Sequence, residues 1–290
     1  MPKAVPFLGI AAGIAAGALF AAAGSSHGLE IADWPAFAVL VAAAYAIQWI
    51  AFVPAWFLQT ERFFDLTGSL TFLAVVGGAL AVRDTLDVRS ALIAAMIAIW
   101  ALRLGPFLFL RVRRDGHDRR FRQIKPNFPL FLMTWTLQGL WVSATASPAL
   151  AALLAAETRP PDWPLAAGAL LWLAGFAIEV TADEQKRRFR AVAENQNRYI
   201  TSGLWAWSRH PNYFGEILLW IGIAVIAAPA LQGWQLATLA SPLFVWLLLT
   251  KISGVRMLEA RANRRWRDDP GYRDYVRRTN ALLLWPPRRT

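Results

Sequence analysis

Between Ser202 and Glu216 the chain reads Ser-Gly-Leu-Trp-Ala-Trp-Ser-Arg-His-Pro-Asn-Tyr-Phe-Gly-Glu, and an apolar run from Ile217 to Ala230 follows directly. Seven hydrogen-bonding or charged side chains and two tryptophans thus stand at the edge of a segment apolar enough for lipid. Pro211 suits the first position of a helix. The amides around Asn212 and Tyr213 then open that helix and offer an anion its N-terminal site. Asn212 lies four residues before Glu216 and Arg209 seven before it, so the three share a face. A helix cap with an interfacial aromatic belt accounts for Asn212, Tyr213, Trp205 and Trp207. It does not account for a glutamate one step inside the membrane, where an ionisable group marks function by default.

A second polar block, Glu179 to Arg190, precedes this stretch. Glu179 and Asp183 are four residues apart on one helix face, with Lys186, Arg187 and Arg190 one to two turns further on. Carboxylates accept from ribose hydroxyls and arginines grip phosphate in a fork, so the block suits a nucleotide; a solvated helix end with internal ion pairs is the alternative. A third block, Lys251 to Thr290, is basic and aromatic and reads as a cytosolic helix, a turn at Pro270-Gly271 and a second helix. It either binds anionic lipid or closes over a nucleotide, and the three blocks together are read as one site. No glycine-rich phosphate fingerprint occurs, so a nucleotide site must be of a non-standard kind. Cysteine is absent and the three histidines, His27, His117 and His210, have no ligand spacing, so no metal is expected.

These side chains need elements to hold them, and the composition says which. The chain has 290 residues, 57% of them hydrophobic, and several apolar runs long enough to cross a bilayer core of about 30 Å. Backbone groups in lipid must satisfy themselves, so the expected fold is all-α, a polytopic helical bundle. Runs that are apolar on every face, such as Ala91–Leu102 and Leu165–Ile178, exclude an outer-membrane barrel. The expected spans are 4–23, 34–58, 66–82, 91–110, 128–155, one from Trp163, one from Pro211 to near Pro229, and one from Leu236 to about Ile252. The third starts with Thr67, Gly68, Ser69 and Thr71 and either packs tightly or breaks. The fourth carries Arg103, which either needs a partner or a watery cavity or snorkels to the interface. The sixth continues past Glu179 and Asp183 to Arg190 without a breaker.

Charge sets the expected orientation. Residues 111–125, 182–212 and 251–290 hold seven, six and eleven Lys and Arg, most of the chain's 30. The positive-inside rule puts all three in the cytoplasm. That placement is self-consistent with eight spans; seven, from loss of the weak third, is the alternative. The net charge of +11 sits beside membrane spans, which argues against nucleic acid. One membrane domain, 1–290, is expected, in a bacterial inner membrane, with the oligomeric state open.

Glu179 to Arg190, the Ser-Arg-His-Pro-Asn-Tyr-Phe-Gly-Glu-Ile-Leu-Leu-Trp-Ile-Gly run at 208–222, and the Leu-Glu…Trp…Asp-Pro-Gly-Tyr…Tyr…Arg-Arg-Thr tail resemble the DUF1295 family, which is related to the carboxyl-terminal half of the steroid 5-alpha-reductases. The resemblance is strong over 163–290 and thin before residue 90. It implies that Glu179, Asp183, Arg187, Arg190, Trp207, Arg209, His210, Asn212, Tyr213, Glu216, Tyr272 and Tyr275 hold NADPH on the cytoplasmic side. It further implies hydride transfer to a carbon–carbon double bond conjugated to a carbonyl in a lipid-like substrate, a steroid, sterol or isoprenoid, entering from the bilayer. Residues 163–290 would be the cofactor half and 1–160 the substrate side.

On the substrate side the pattern departs from the family. Trp-Phe-Leu-Gln at 56–59 resembles the lead-in to the glutamate that binds substrate carbonyl, making Glu61 the closest match and Thr60 a poorer one. The family's tyrosine position is Trp100 here, whose indole donates one hydrogen bond but no proton. Asp65 and Tyr45 are further candidates. A carboxyl in apolar surroundings can stay protonated and donate, so Glu61 comes first and Asp65 second. The isoprenylcysteine carboxyl and phospholipid methyltransferases are the alternative. Their Arg-His-Pro-x-Tyr-x-Gly signature is matched by Arg209, His210, Pro211, Tyr213 and Gly215, and would bind S-adenosylmethionine.

Overall fold

The computed structural model describes residues 4–287, with only the backbone of Asp115 and Arg119. The last residues of the basic tail expected to reach Thr290 lie outside the described residues. The helices are α1 (Val5–Gly24), α2 (Ala36–Phe57), α3 (Phe64–Ala81), α4 (Val88–Asp115), α5 (Phe128–Leu153), α6 (Trp163–Ala191), α7 (Pro211–Ala227), α8 (Ser241–Leu247), α9 (Gly254–Trp266) and α10 (Pro270–Arg278). A two-residue antiparallel pairing of Glu30–Ile31 with Trp34–Pro35 precedes α2. The fold is thus the expected all-α polytopic bundle. Among the described residues seven helical stretches are long and apolar enough to cross a membrane: Val5–Gly24, Ala36–Phe57, Phe64–Ala81, Val88–Arg114, Trp163–Ala191, Pro211–Ala230 and Gly233–Trp266. The protein is an integral membrane protein.

These seven are not the seven of the expected alternative. The weak third run forms a full helix, whereas the helix that falls short in hydropathy is α5. Its 26 residues are long enough to span at about 1.5 Å per residue, but Thr136, Gln138, Ser143, Thr145 and Ser147 are all buried. A helix with protein around it can carry polar side chains where a lipid-facing one cannot.

The chain divides into two compact units. The first comprises Met1–Leu165 and Ala224–Ser241, the second Ala166–Ile223 and Pro242–Thr290. In the first, hydrogen bonds join the buried polar groups of different helices. Tyr45 donates to Gly13 O at 2.7 Å, Gln48 to Thr71 Oγ1 at 2.7 Å and Gln138 to Phe64 O at 2.7 Å. The small residues at the start of α3 serve close packing, since a Cβ on Gly105 would stand 2.7 Å from that of Ser69. At the start of α4, Asp87 caps the helix by accepting from Ser90 N at 3.0 Å. Buried Arg89 donates to Ile226 O and pairs with Asp162 at 2.9 Å. The Arg103 guanidinium lies over the Phe107 ring, 5.0 Å from its centre.

In the second unit α6 runs unbroken past Asp183, as the lack of a breaker predicts. Antiparallel to it, α7 meets it through glycines. A Cβ on Gly215 would stand 2.6 Å from Gly175 O and 2.7 Å from Glu179 N, and one on Gly222 would stand 2.6 Å from Gly168 O and 2.7 Å from Trp172 N. Both pairs are seven residues apart, two turns of helix, so one seam of glycines lets the two backbones touch. The expected last span differs from a simple helix. A 3-10 segment (Gly233–Ala240) leads into α8, and a π-helical turn (Leu248–Ile252) leads on to α9. Pro270 sits at the start of α10 rather than in a free turn, because Asp269 caps it by accepting from Gly271 N at 2.8 Å.

Candidate functional site

The glycine seam of the second unit decides which polar residues meet. With Gly215 against the backbone at Gly175 and Glu179, the residues one turn on either side come into register. Asn212 Nδ2 donates to Asp183 Oδ1 at 3.3 Å. Glu179 is buried at 2% exposure and Asp183 at 9%, and Asn212 and Glu216 are half-buried on α7. Buried acids are costly unless hydrogen-bonded or paired. A cluster of acceptors with an amide among them is therefore a built feature rather than a solvated helix end. On α6, Lys186 and Arg190 follow Glu179 and Asp183 at helical spacing on the same side. Lys186 lies over the Trp205 ring at 4.7 Å, and exposed Arg190 donates to Gln196 O at 3.3 Å.

The loop entering α7 is docked on α6. Trp205 Nε1 donates to Ala182 O at 3.0 Å and Leu204 N to Gln185 Oε1 at 3.0 Å. Gly203 takes a φ of 62°, a left-handed conformation that glycine adopts without strain. Trp207 is exposed at 48%.

Several residues expected at the cofactor are committed elsewhere. Arg209 Nε donates to Glu259 at 2.7 Å, and its Nη1 donates to Val276 O at 2.8 Å and Thr279 O at 2.6 Å. Val276 and Thr279 lie at the C-terminus of α10, where carbonyls lack helical partners and a cation is favoured. Arg209 therefore caps α10 through its Nε and Nη1 side. The tail is held to the same loop by Arg209 N to Asn280 O at 2.9 Å and Ser208 Oγ to Leu282 O at 2.7 Å. His210 Nε2 stands 3.3 Å from Glu259 and its ring stacks on Tyr213 at 5.8 Å. Burial pushes the His210 pKa below its ordinary value; nearby Lys186 and Arg209 add to this, and Glu259 opposes it.

Tyr272 donates to Asn263 at 3.1 Å and Tyr275 to Trp205 O at 2.7 Å, so the tyrosine hydroxyls expected over a nucleotide are used within the chain. Burial raises the pKa of both. Arg187 makes a two-point contact with Glu184, at 2.6 and 2.7 Å, on an exposed part of α6. Glu259 was missed as a site residue. It sits fifty residues beyond Arg209, and the Leu258-Glu259 pair in the tail was its one signal in the sequence.

In the first unit the expected donors are engaged as acceptors. Glu61 is buried, its Oε1 accepting from Asp118 N at 2.8 Å and its Oε2 lying 2.5 Å from Lys125 Nζ. Both carboxyl oxygens of Glu61 thus meet donors from within the chain, one of them a cation. Asp65 lies 3.5 Å from Arg120 and 3.8 Å from Arg111. Trp100 is fully buried and meets Phe72 edge to face at 5.1 Å, which makes it a packing residue of α3 and α4. Nothing in the sequence pointed to Lys125, 64 residues from Glu61 in the chain. No cluster of metal-ligating side chains occurs among the described residues.

The model of the family "Protein of unknown function (DUF1295)" matches residues 51–279. A Schizosaccharomyces pombe protein described as uncharacterized is 27% identical over 203 residues, 57% of this chain and 54% of that protein. The 3-oxo-5-alpha-steroid 4-dehydrogenase 1 of Bos taurus is 36% identical over 70 residues, 24% of this chain and 27% of that enzyme. That of Mus musculus is 36% identical over 66 residues, 23% of this chain and 26% of the enzyme. The chain thus spans about half the length of the first relative and a quarter of the others. No solved structure matches it.

Proposed function

Because the chain belongs to the DUF1295 family and shares a segment with steroid dehydrogenases, we propose that it is a membrane reductase using NADPH. The substrate class we assign is a lipid-like molecule, a steroid, sterol or isoprenoid, with a double bond conjugated to a carbonyl. The observation that carries the reading is the Asp183–Asn212 contact across the glycine seam, with Glu179 and Glu216 beside it. These groups fit the hydroxyl-rich end of a nucleotide, since carboxylates accept from ribose hydroxyls. Lys186 and Arg190, further along α6, fit its phosphates. Arg209 is left out of this set, because its Nε and Nη1 are taken by Glu259 and the α10 carbonyls.

Bound there, NADPH would supply hydride. What the chain's own residues do is hold and orient: Asp183 and Asn212 fix each other's rotamers and present oxygen acceptors from two helices. The seam keeps their separation, because neither backbone can move closer. Negative charge developing on a substrate carbonyl calls for a preplaced donor. Neither Glu61 nor Asp65 offers one while paired with cations, so the donor is sought among other groups. The site is proposed to face the cytoplasm of a bacterial inner membrane, on the basis of the basic segments flanking it.

The test is what the purified chain binds. Retention of NADP(H), with affinity lowered about tenfold or more by Asp183→Asn and by Asn212→Ala, is expected from loss of a hydrogen bond to a charged group. Retention of S-adenosylmethionine with no response to NADPH would overturn the reading in favour of a methyltransferase. The orientation is tested separately. A cysteine introduced at Asn195 into this cysteine-free chain should be labelled from the cytoplasmic side, and labelling from the opposite side defeats the placement.

A further inference from the structure

Where α2 gives way to α3 and α4 to α5, residues of the first unit enclose a cavity of about 380 Å³. It is lined by Leu58, Gln59, Arg62 and Phe63 on one side and Gly116, His117 and Lys125 on the other, with Glu61 at its wall. A second cavity of about 260 Å³ shares Glu61, His117 and Lys125 and adds Asp118 and Arg122.

Among the described residues the first cavity has an excess of cations, Arg62 and Lys125 against Glu61, and the second balances Glu61 and Asp118 with Arg122 and Lys125. Glu61 is matched by Lys125 at 2.5 Å, and Asp118 by Arg120 at 2.6 Å. Among the described residues the side chains of Arg62 and Arg122 have no acid partner, and both are exposed. Arg62 lines the first cavity and Arg122 the second, and exposed His117 belongs to both; guanidinium is the side chain best shaped for phosphate oxygens. Gln59 holds a φ of 47° because it closes α2, its N–H donating to Trp56 O at 3.2 Å and that of Thr60 to Ala55 O at 3.0 Å, which fixes the turn that forms this side of the cavity.

The rim is of the opposite character. Phe57, Leu58 and Phe63 are exposed at 78%, 71% and 51%, at the end of one apolar helix and the start of the next. Trp56 stands at the same junction, and an amphipathic indole there suits the membrane–water boundary. The ligand must therefore satisfy cations at one end and an apolar surface at the other. We propose that these two adjoining cavities together bind the phosphate monoester head of an amphiphile whose chains lie against Phe57, Leu58 and Phe63. The site is independent of the cofactor reading, since none of its residues belongs to α6 or α7.

Native mass spectrometry of the full chain released from detergent tests it, with phosphatidic acid and phosphatidylcholine of identical acyl chains as probes and inorganic phosphate as competitor. Phosphatidic acid should be retained at least about tenfold more tightly than phosphatidylcholine, as expected for charge-assisted pairing. The Arg62→Gln/Arg122→Gln double variant should lose that preference while NADPH retention stays unchanged. Arg273→Gln/Arg277→Gln, which removes the same charge from α10, should keep the preference. Equal retention of the two lipids overturns the proposal. So does a preference that survives in the first variant or is lost equally in the second, and so does inorganic phosphate binding as tightly as phosphatidic acid, which would leave the apolar rim without a role.

Discussion

Gly215 on α7 lies against the carbonyl of Gly175 on α6, so closely that a Cβ added to it would stand 2.6 Å from that oxygen and 2.7 Å from Glu179 N. Both obstructing atoms are backbone, which cannot rotate away. Gly215→Ala should therefore force the helices apart and destabilise the chain by roughly 1–3 kcal/mol, as overpacking does, with loss of cofactor affinity because Asp183 and Asn212 separate. Gly222→Ala, with Gly168 O at 2.6 Å, should destabilise similarly. The control is Gly77, whose added Cβ meets nothing within 4 Å. Gly77→Ala should leave the thermal midpoint unchanged or raise it, since alanine is the better helix former by up to about 1 kcal/mol. Thermal unfolding of the three variants in detergent measures this.

Arg209 serves Glu259 and two carbonyls at the end of α10 at once. Arg209→Ala leaves a partly buried carboxylate and the helix end without their donor, at a cost of roughly 2 kcal/mol or more. The expected readout is faster trypsin cleavage within residues 264–278, where the native chain holds the tail down. Arg209→Lys should rescue only part of the protection, because an ammonium does not reproduce the guanidinium fork. Unchanged cleavage would return Arg209 to the cofactor.

The Glu61–Lys125 pair separates two roles by a double-mutant cycle. If the pair is structural, Glu61→Gln and Lys125→Met should each lower stability, and the double variant should lose less than their sum, with a coupling of about 0.5–3 kcal/mol. If Glu61 is instead an acid acting on substrate, Glu61→Gln should leave the melting curve in place and lower turnover of a reducible enone by about a hundredfold. The structure favours the first outcome.

His210 gives the second unit a pH dependence. Burial lowers its folded-state pKa, Lys186 and Arg209 favour the same shift, and Glu259 works against it. The unfolded chain then binds the extra proton first, as pH falls through about 6.5. Its contribution to stability is complete above that pH and is lost on descending to the lower folded-state value. The thermal midpoint should fall between pH 7 and pH 5.5, a window above ordinary carboxylate titration. In His210→Gln the slope should be shallower. An equal slope in both proteins would show that other groups carry it.

Much of this architecture was legible in the chain itself. Apolar runs announced the helices, since a backbone in lipid has no other means of satisfying its hydrogen bonds. The unbroken pattern through Asp183 announced the length of α6. Hydropathy falls short at α5 because it scores exposure to lipid, whereas α5 is largely buried, and the small residues that made the start of α3 look weak are packing surfaces.

The candidate site residues divide in the same way. Spacing along one helix was enough to place Glu179 with Asp183 and Asn212 with Glu216, because helical periodicity acts over four residues and needs no partner. Which groups those side chains then meet depends on residues far off in the chain, and only the tertiary structure decides that. Asp183 faces Asn212 because two glycines on each helix let the backbones touch. Arg209, whose type and place in the motif suggested phosphate, turns to the carbonyls of a helix some seventy residues later. Glu61, whose surroundings suggested a protonated acid, is met by Lys125. A charged side chain is taken by whichever unsatisfied partner the fold brings within reach, and local sequence carries no record of that partner.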